Sequence, residues 1–247
     1  MPTKTHNIIT EINRDALPVR FGRFFYIFPL VAVLVSIAVA TRAQSSDTND
    51  VLASWLSAQT NIQTWSADFV QTRTLKSLTQ PLTASGHVWF EAPNRFHWEI
   101  KIPTETLAVR QTDQILVIYP KLKRAERYPL NTKDAGPWKD TLALLDAGFP
   151  RSRAEVDSKF VILSQTATNG IHELALQPKS ENARRLIPQI KIAFETSTLL
   201  LHSTELQLAD GSTMANVFTN AVLNPKIDEA VFNPNLEGYK ITQPFKK

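Results

Sequence analysis

The chain has 247 residues, a formal net charge of +4, and 43% hydrophobic residues. This composition supports at least one sizeable core and excludes an intrinsically disordered chain. The absence of cysteine excludes a disulfide framework, a thiol nucleophile and a thiolate metal site.

The N-terminal segment has the three-part pattern of a secretory signal peptide. Arg20 and Arg23 precede an uncharged apolar run over residues 24–40, and Ala38-Val39-Ala40 and Thr41-Arg42-Ala43 are two cleavage candidates. The alternative is an uncleaved membrane anchor, which needs about 20 apolar residues, whereas Pro29 interrupts this run. We therefore expect residues 1–43 to be a cleaved signal peptide and residues 44–247 to form a single exported domain.

Most of the net positive charge of the chain comes from this N-terminal segment. Residues 1–43 hold five of the 27 basic and two of the 23 acidic residues, so residues 44–247 carry a net charge of +1. They show no basic stripe with interleaved aromatic residues and no recognition helix. A nucleic-acid partner is therefore not expected.

The exported part begins with a predicted helix over residues 49–63, which Asn49 or Asp50 can cap. Its apolar residues recur at helical spacing and form one face. After Trp65 the pattern changes to short runs rich in β-branched and aromatic residues, separated by turn residues such as those around Pro93 and Pro103. Such runs predict an antiparallel meander.

A second helix is predicted within residues 133–150, where Pro137 suits a first turn and Gly148 a helix end. Its apolar residues lie at i, i+4, i+7 and i+11, which places them on one face. These residues are Trp138, Leu142, Leu145 and Phe149.

Strand patterns then resume, with tight hairpins predicted at Asn169-Gly170 and Asp210-Gly211 and a single helical turn near residues 225–232. In the run QIKIAFE, Ile190, Ile192 and Phe194 face one way, so one side of the sheet is apolar. The predicted fold is mainly β with helices: one strongly curved antiparallel sheet with amphipathic helices laid against it.

Catalytic motifs are absent from the sequence. The histidines have no metal-ligand spacing, there is no G-x-S-x-G elbow, and no glycine-rich loop could hold a phosphate. His87 and His97 could approach each other on adjacent strands, but we expect them to be exposed or hydrogen-bonded strand residues. Ser85-Gly86 is interpreted as a kink in a strand. We predict no metal, no cofactor and no enzymatic activity.

Several motifs in order resemble the periplasmic outer-membrane lipoprotein carrier protein family, LolA. They are Phe69-x-Gln71, Ser85-Gly86, Trp89-Phe90 and Pro93-x-x-Phe96-x-Trp98, followed by LALLDAGF and IDEAVFNPNLEGYKI. The resemblance covers nearly the whole exported chain, from about Val51 to the end. It implies an incomplete, unclosed antiparallel β-barrel under a helical lid, with an apolar cavity for the acyl chains of a lipoprotein.

The resemblance also implies a periplasmic location and a set of partners. Cargo would come from an inner-membrane ABC lipoprotein exporter (LolCDE-like) and pass to an outer-membrane acceptor (LolB-like) where one is present, and we expect a monomer. Candidate lid residues are Trp138, Leu142, Leu145 and Phe149. The candidate cavity residues on the strands are Phe69, Trp89, Phe96, Trp98, Val117, Tyr119, Ile192 and Phe194.

One departure from the family pattern concerns the lid. Family members often carry arginine immediately before the proline of the P-x-x-F-x-W motif, where it helps to hold the lid closed, whereas this chain has Ala92. Arg95 is the candidate replacement. Three alternatives to a lipoprotein carrier stay open: a carrier of another envelope lipid or glycolipid, a lipid-sensing regulatory module on the same fold, and a hydrolase on a β-scaffold.

Overall fold

The alternating strands of the exported part form one large sheet in the computed structural model, which describes residues 48–130, 150 and 152–244. The predicted signal peptide and the predicted lid helix therefore lie outside the described residues. In the described part, the strands are β1 Thr64–Thr74, β2 Leu82–Glu91, β3 Arg95–Ile102, β4 Thr106–Arg110, β5 Gln114–Tyr119, β6 Arg124–Pro129, β7 Phe160–Thr168, β8 Ile171–Pro178, β9 Gln189–Glu195, β10 Leu201–Gln207, β11 Thr213–Leu223 and β12 Lys240–Thr242.

The order across this sheet is β12-β6-β5-β4-β3-β2-β1-β11-β10-β9-β8-β7. Two antiparallel meanders, β1 to β6 and β7 to β11, are joined where β1 pairs with β11. The short β12 pairs in parallel with β6. Among the described residues, β12 and β7 have no strand partner on their outer sides, so the sheet is curved but not closed, as the family resemblance implies.

Turn residues account for the hairpins. Asn169 and Gly170, between β7 and β8, have φ values of +52° and +77°, which favours glycine and asparagine. A bulge between Ser85 and Gly86 shifts the register of β2 against β3, at the position where the sequence predicts a kink. Asp210 and Gly211 lie in the connection from β10 to β11, as expected.

The described helices are α1 Thr48–Gln59, α2 Arg153–Lys159 and α3 Glu181–Leu186, and 3-10 turns lie at Pro120–Leu122 and Glu229–Val231. The sequence analysis predicts α1 and the second 3-10 turn but misses α2, α3 and β6. Among the described residues, no helix is both long enough and apolar enough to cross a membrane.

The core lies between α1 and one face of the sheet, here called the inner face. Leu52, Trp55 and Leu56 of α1 are buried in one cluster with strand residues such as Phe69 and Phe194. The Trp55 ring stacks on Phe194, with centroids 4.6 Å apart and planes 3° apart. The packing of α1 therefore defines which strand residues face inward.

The opposite face, here called the outer face, is covered at β3 to β6 by residues 228–242, which we call the C-terminal strap. Leu236 and Tyr239 of the strap pack against a buried cluster of Val109, Leu116, Ile118 and Ala125. The strap ends in β12, and the amide of Lys240 donates to the carbonyl of Lys123 next to β6. The strap thus fixes the outer side of the first meander.

Candidate functional site

The inner face carries two apolar clusters that differ in what covers them. The first, the α1 cluster, contains residues of α1 together with strand residues from both meanders. The second, the β3–β6 cluster, contains no residue of the three described helices. Its buried members are Phe96, Ile115, Val117 and Tyr128. The apolar surface of the inner face therefore extends beyond the area that α1 covers.

Trp98 on β3 lies where the two clusters meet, because it packs against both of them. Its ring is 4.3 Å from Phe69 and 6.2 Å from Phe218, measured between centroids. Its register partners, Val88 on β2 and Ala108 on β4, carry much smaller side chains. Trp98 nevertheless stays partly exposed. A large apolar side chain at the centre of the inner face thus keeps surface available for contact.

Seven of the eight predicted cavity residues share the inner face. Phe69, Ile192 and Phe194 belong to the α1 cluster, and Phe96 and Val117 belong to the β3–β6 cluster. Trp98 joins the two, and Tyr119 packs against the β3–β6 cluster. The candidate lid residues Trp138, Leu142, Leu145 and Phe149 lie outside the described residues.

Trp89, the eighth predicted residue, lies on the outer face. It pairs with Ser66 on β1 and with His97 on β3, so it points away from its inward-facing neighbour Phe90. Its ring centroid is 4.2 Å from that of His87 and 5.1 Å from that of His97. Trp89 therefore does not share a face with the other seven residues, and we leave it out of the candidate site.

Arg95, the predicted latch, also has its described partners on the outer side of the molecule. Its guanidinium lies 2.9 Å from a carboxylate oxygen of Glu91 and 2.6 Å from one of Glu229. It also stacks over the Phe232 ring, 4.4 Å from the centroid. Hydrogen bonding from Arg95 lowers the pKa of Glu229. These contacts tie the C-terminal strap to the start of β3, which differs from the predicted role of a lid latch.

A buried polar network crosses the inner face toward the other end of β1. The amide of Gln71 donates to Asn216 Oδ1 over 3.0 Å, and Asn216 Nδ2 donates to the hydroxyl of Thr204 over 3.1 Å. Arg73 donates to Gln71 Oε1 over 2.9 Å. Because buried amides cost free energy unless they are paired, this network fixes β1, β11 and β10 side by side. The sequence analysis notes Gln71 only as part of a family motif.

A second set of interacting polar side chains lies on the inner face of β6, next to the β3–β6 cluster. The Tyr128 hydroxyl donates to Glu126 over 2.6 Å, and Arg124 lies 3.5 Å from Glu126. The Arg124 guanidinium stacks over Tyr119, 4.5 Å from the ring centroid. The inner face is therefore apolar in its middle and polar toward β6.

The outer-face histidines are hydrogen-bonded, as the sequence analysis expects. His87 Nδ1 lies 2.7 Å from Asp68 Oδ1, and His97 Nδ1 lies 2.5 Å from the carbonyl oxygen of Val231. Hydrogen bonds from Asn220 and then from His87 lower the pKa of Asp68. In the described part of the chain, His87 has no hydrogen bond to a hydroxyl. The Asp68–His87 pair is thus not completed into a nucleophilic triad there.

His172 on β8 behaves differently from the other histidines. It is fully buried, stacks on Phe194 at 5.0 Å, and neither ring nitrogen has a hydrogen-bond partner. Burial lowers its pKa, so the ring is neutral near pH 7. The sequence contains the signal for this placement, because His172, Leu174 and Leu176 alternate on one side of β8.

A metal centre is not apparent in the part of the chain that the structure describes. No group of three or more His, Asp or Glu side chains is arranged there to hold a metal ion.

The chain is similar to proteins of one family. The model of the family described as outer membrane lipoprotein carrier protein LolA matches residues 60–235. The outer-membrane lipoprotein carrier protein of Chromohalobacter salexigens is 27% identical over 173 residues, covering 70% of this chain and 76% of the relative. That of Cupriavidus taiwanensis is 27% identical over 150 residues, covering 61% and 65%.

Solved structures of low sequence identity also align with the chain. One is a putative outer membrane lipoprotein-sorting protein domain from Vibrio parahaemolyticus, with 14% identity and a TM-score of 0.43, covering 76% of this chain and 97% of that domain. The family model covers well over half of the chain. The chain therefore belongs to the outer membrane lipoprotein carrier protein LolA family.

Proposed function

We propose that this protein is a periplasmic carrier that binds the acyl chains of lipoproteins on the inner face of its sheet and moves them from the inner to the outer membrane. Membership of the LolA family supports this role, as do relatives named outer-membrane lipoprotein carrier protein. The observation that carries the proposal is the apolar inner face, which continues from the α1 cluster to the β3–β6 cluster through the partly exposed Trp98.

The hydrophobic effect supplies the driving force for such binding. Each buried CH₂ group contributes about 0.8 kcal/mol, so a palmitoyl chain has a gross drive of roughly 10 kcal/mol to leave water. The proposed contact surface consists of the inner-face residues Phe69, Phe96, Trp98, Val117, Tyr119, Ile192 and Phe194. No covalent step is needed, and we propose a binding protein rather than an enzyme.

The remaining parts of the proposal come from the sequence and the family. Residues 1–43 would direct export and be removed. A helix containing Trp138, Leu142, Leu145 and Phe149 would cover the acyl chains. Cargo would arrive from an inner-membrane ABC exporter and leave to an outer-membrane acceptor where the host has one.

Cargo that co-purifies with variants from the periplasm tests the proposal. Trp98→Glu places a charge on the inner face and should reduce bound acylated material at least tenfold, because a buried charge opposes an apolar chain. The matched control is Val70→Glu on β1, whose side chain is 52% exposed on the outer face and should leave loading unchanged.

Mass spectrometry of the extracted material identifies the cargo. Triacylated lipoprotein as the main species supports the proposal, whereas glycolipid or phospholipid alone would favour a carrier of another envelope lipid. Equal loading of a folded Trp98→Glu protein and the parent would contradict binding on the inner face.

A further inference from the structure

Three turns of the first meander lie at the same end of the sheet. They connect β1 to β2, β3 to β4 and β5 to β6, and they consist of residues 75–81, 103–105 and 120–123. Because β1 to β6 pair as antiparallel neighbours, every second turn returns to the same end. Paired strands are about 4.8 Å apart, so successive turns at this end are separated by about 10 Å.

Each turn at this end, here called the basic end, presents an exposed aliphatic side chain. Leu78 lies in the first turn, Ile102 at the start of the second and Leu122 in the third. Ile102 and Leu122 are 63% and 65% exposed, the highest values for large hydrophobic residues in the described part of the chain. The two turns at the opposite end, taken with their flanking residues as 91–95 and 110–114, contain no leucine, isoleucine, valine or aromatic residue. A single exposed leucine is ordinary, but this distribution singles out one end of the meander.

An exposed lysine lies within two positions of each exposed aliphatic side chain. These lysines are Lys76, Lys101, Lys121 and Lys123. Residues 73–82, 101–106 and 120–124 together hold six basic residues and one acidic residue. The turns at the opposite end, residues 91–95 and 110–114, hold two of each. The positive charge of the first meander is therefore concentrated where its aliphatic side chains are exposed.

The protein itself neutralises little of this charge. Lys101 lies 3.5 Å from a carboxylate oxygen of Glu99 on β3. Asp210, in the β10–β11 connection, interacts electrostatically with Lys76 but does not form an ion pair with it. Lys76 and Lys121 make no ion pair in the part of the chain that the structure describes. The basic end therefore has cations available for an external anionic group.

Exposed lysines beside exposed aliphatic side chains fit a bilayer surface that carries anionic lipids. Binding at such a surface grows with the apolar area inserted and with the attraction between basic side chains and anionic headgroups. The core of a protein–protein interface is instead contiguous, apolar and poor in charge. The aliphatic side chains of the basic end lie in turns about 10 Å apart, and each has a lysine beside it. This arrangement favours a membrane surface over an apolar groove of a partner protein.

We propose that the basic end is a docking surface for an anionic phospholipid bilayer. Leu78, Ile102 and Leu122 insert among the lipid headgroups, and the four lysines beside them contact the phosphates. The inference goes beyond the proposed function, because none of the three aliphatic residues belongs to the clusters of the inner face. Docking at the basic end holds the protein on a membrane whether or not the inner face carries an acyl chain.

Flotation with lipid vesicles tests the docking surface. The purified protein is mixed with vesicles of equal parts phosphatidylglycerol and phosphatidylethanolamine, or with vesicles of phosphatidylcholine alone. The bound fraction is measured across a range of lipid concentrations at low and at high salt. The wild-type protein should bind the anionic vesicles at least about tenfold more tightly, and salt should weaken this binding because it screens the charges.

Two double variants separate the charged from the apolar contribution. Lys76→Gln with Lys121→Gln should weaken binding to the anionic vesicles about twentyfold, since each lysine near such a surface contributes about fivefold. Ile102→Ser with Leu122→Ser should weaken it about tenfold, because less apolar area is inserted. All four positions are exposed, so both variants should melt at the temperature of the wild type.

Two matched controls change exposed positions away from the basic end. Thr112→Asp with Lys226→Gln lowers the net charge by the same two units at the opposite end of the sheet. Val70→Ser with Val222→Ser removes two exposed aliphatic side chains from the outer face. Both controls should bind the anionic vesicles as the wild type does.

Three results would overturn the docking surface: equal binding of the wild type to both kinds of vesicle, wild-type binding by either basic-end variant, or the same loss in the matched controls. Binding to neither kind of vesicle, together with reduced cargo uptake by the lysine variant, would assign the basic end to contact with a protein and would overturn it as well. Cargo loading of the inner face is measured separately, so failure of membrane docking is distinct from failure of the proposed function.

Discussion

Replacing Gly86 by alanine should disrupt the pairing of β2 with β3. Gly86 lies at the bulge, between Phe69 on β1 and Ile100 on β3. A Cβ atom there would stand 1.8 Å from the carbonyl oxygen of Glu99 and 2.8 Å from its carbon. Normal carbon–oxygen contacts are about 3.3 Å or longer, so the two strands must separate by about 1.5 Å.

The loss of unfolding free energy in Gly86→Ala follows from the hydrogen bonds that break when β2 and β3 separate. Two or three ladder bonds next to the bulge are lost, at about 1 kcal/mol each, which lowers the unfolding free energy by about 2–3 kcal/mol. Urea unfolding followed by tryptophan fluorescence measures this loss. Amide hydrogen exchange should also become faster in residues 97–101, because these amides lie at the separated pair of strands.

Gly211 provides the matched control for a glycine-to-alanine change. It has a φ of +85° in the β10–β11 connection, and a Cβ there would meet no atom within 4 Å. Gly211→Ala should therefore cost only about 1–2 kcal/mol, from backbone strain, and should leave exchange in β3 unchanged. If Gly86→Ala loses no more stability than Gly211→Ala and exchange in β3 does not change, the close approach of these strands is refuted.

The remaining predictions concern polar contacts. Arg95→Leu should increase amide hydrogen exchange in residues 228–242. In the parent protein, the Arg95–Glu229 contact should hold above the ordinary glutamate pKa of about 4.3, because the pKa of Glu229 is lowered. The contact should weaken as the pH falls below this value and Glu229 becomes protonated. Unchanged exchange would argue against the strap contact. Gln71→Leu should cost about 1–3 kcal/mol of unfolding free energy, because Asn216 Oδ1 on β11 stays buried without its donor. A neutral effect in urea unfolding would contradict the network. Burial lowers the pKa values of His97 and His172. The unfolding free energy should therefore fall as the pH drops below about 6.5, where the unfolded chain binds more protons, and His172→Phe should flatten this profile.

Alternation along a strand predicts faces well when one residue type fills one face. The run QIKIAFE allows Ile190, Ile192 and Phe194 to be assigned to the inner face, and the structure buries all three in the α1 cluster. Alternation fails when two aromatic residues are adjacent. Trp89 and Phe90 must face opposite ways, and pairing with Trp65 turns Phe90 inward. The sequence analysis takes Trp89 as a cavity residue under the family resemblance, and the motif Trp89-Phe90 does not specify which of the two faces inward.

Long-range contacts leave no local trace in the sequence. Arg95 and Glu229 are 134 positions apart, so the role of Arg95 in holding the strap depends on the fold. A local signal does exist for α2, because Ser152 and Glu155 have the spacing of a capping box, and Ser152 accepts a hydrogen bond from the Glu155 amide. The strand β6 is harder to predict, since RAERYP is rich in charge and lies beside the edge.

Photocrosslinking from two tyrosine positions tests the central claim most directly. Tyr119 packs against the inner-face β3–β6 cluster, and Tyr239 packs against the outer-face cluster of the strap. Both are partly buried beneath a cation, Arg124 in one case and Lys123 in the other. Each is replaced by a benzoyl-phenylalanine in cells that incorporate labelled palmitate. We predict labelled adducts at position 119 and none at 239; adducts at 239 alone, or equal labelling at both, would contradict binding of acyl chains on the inner face.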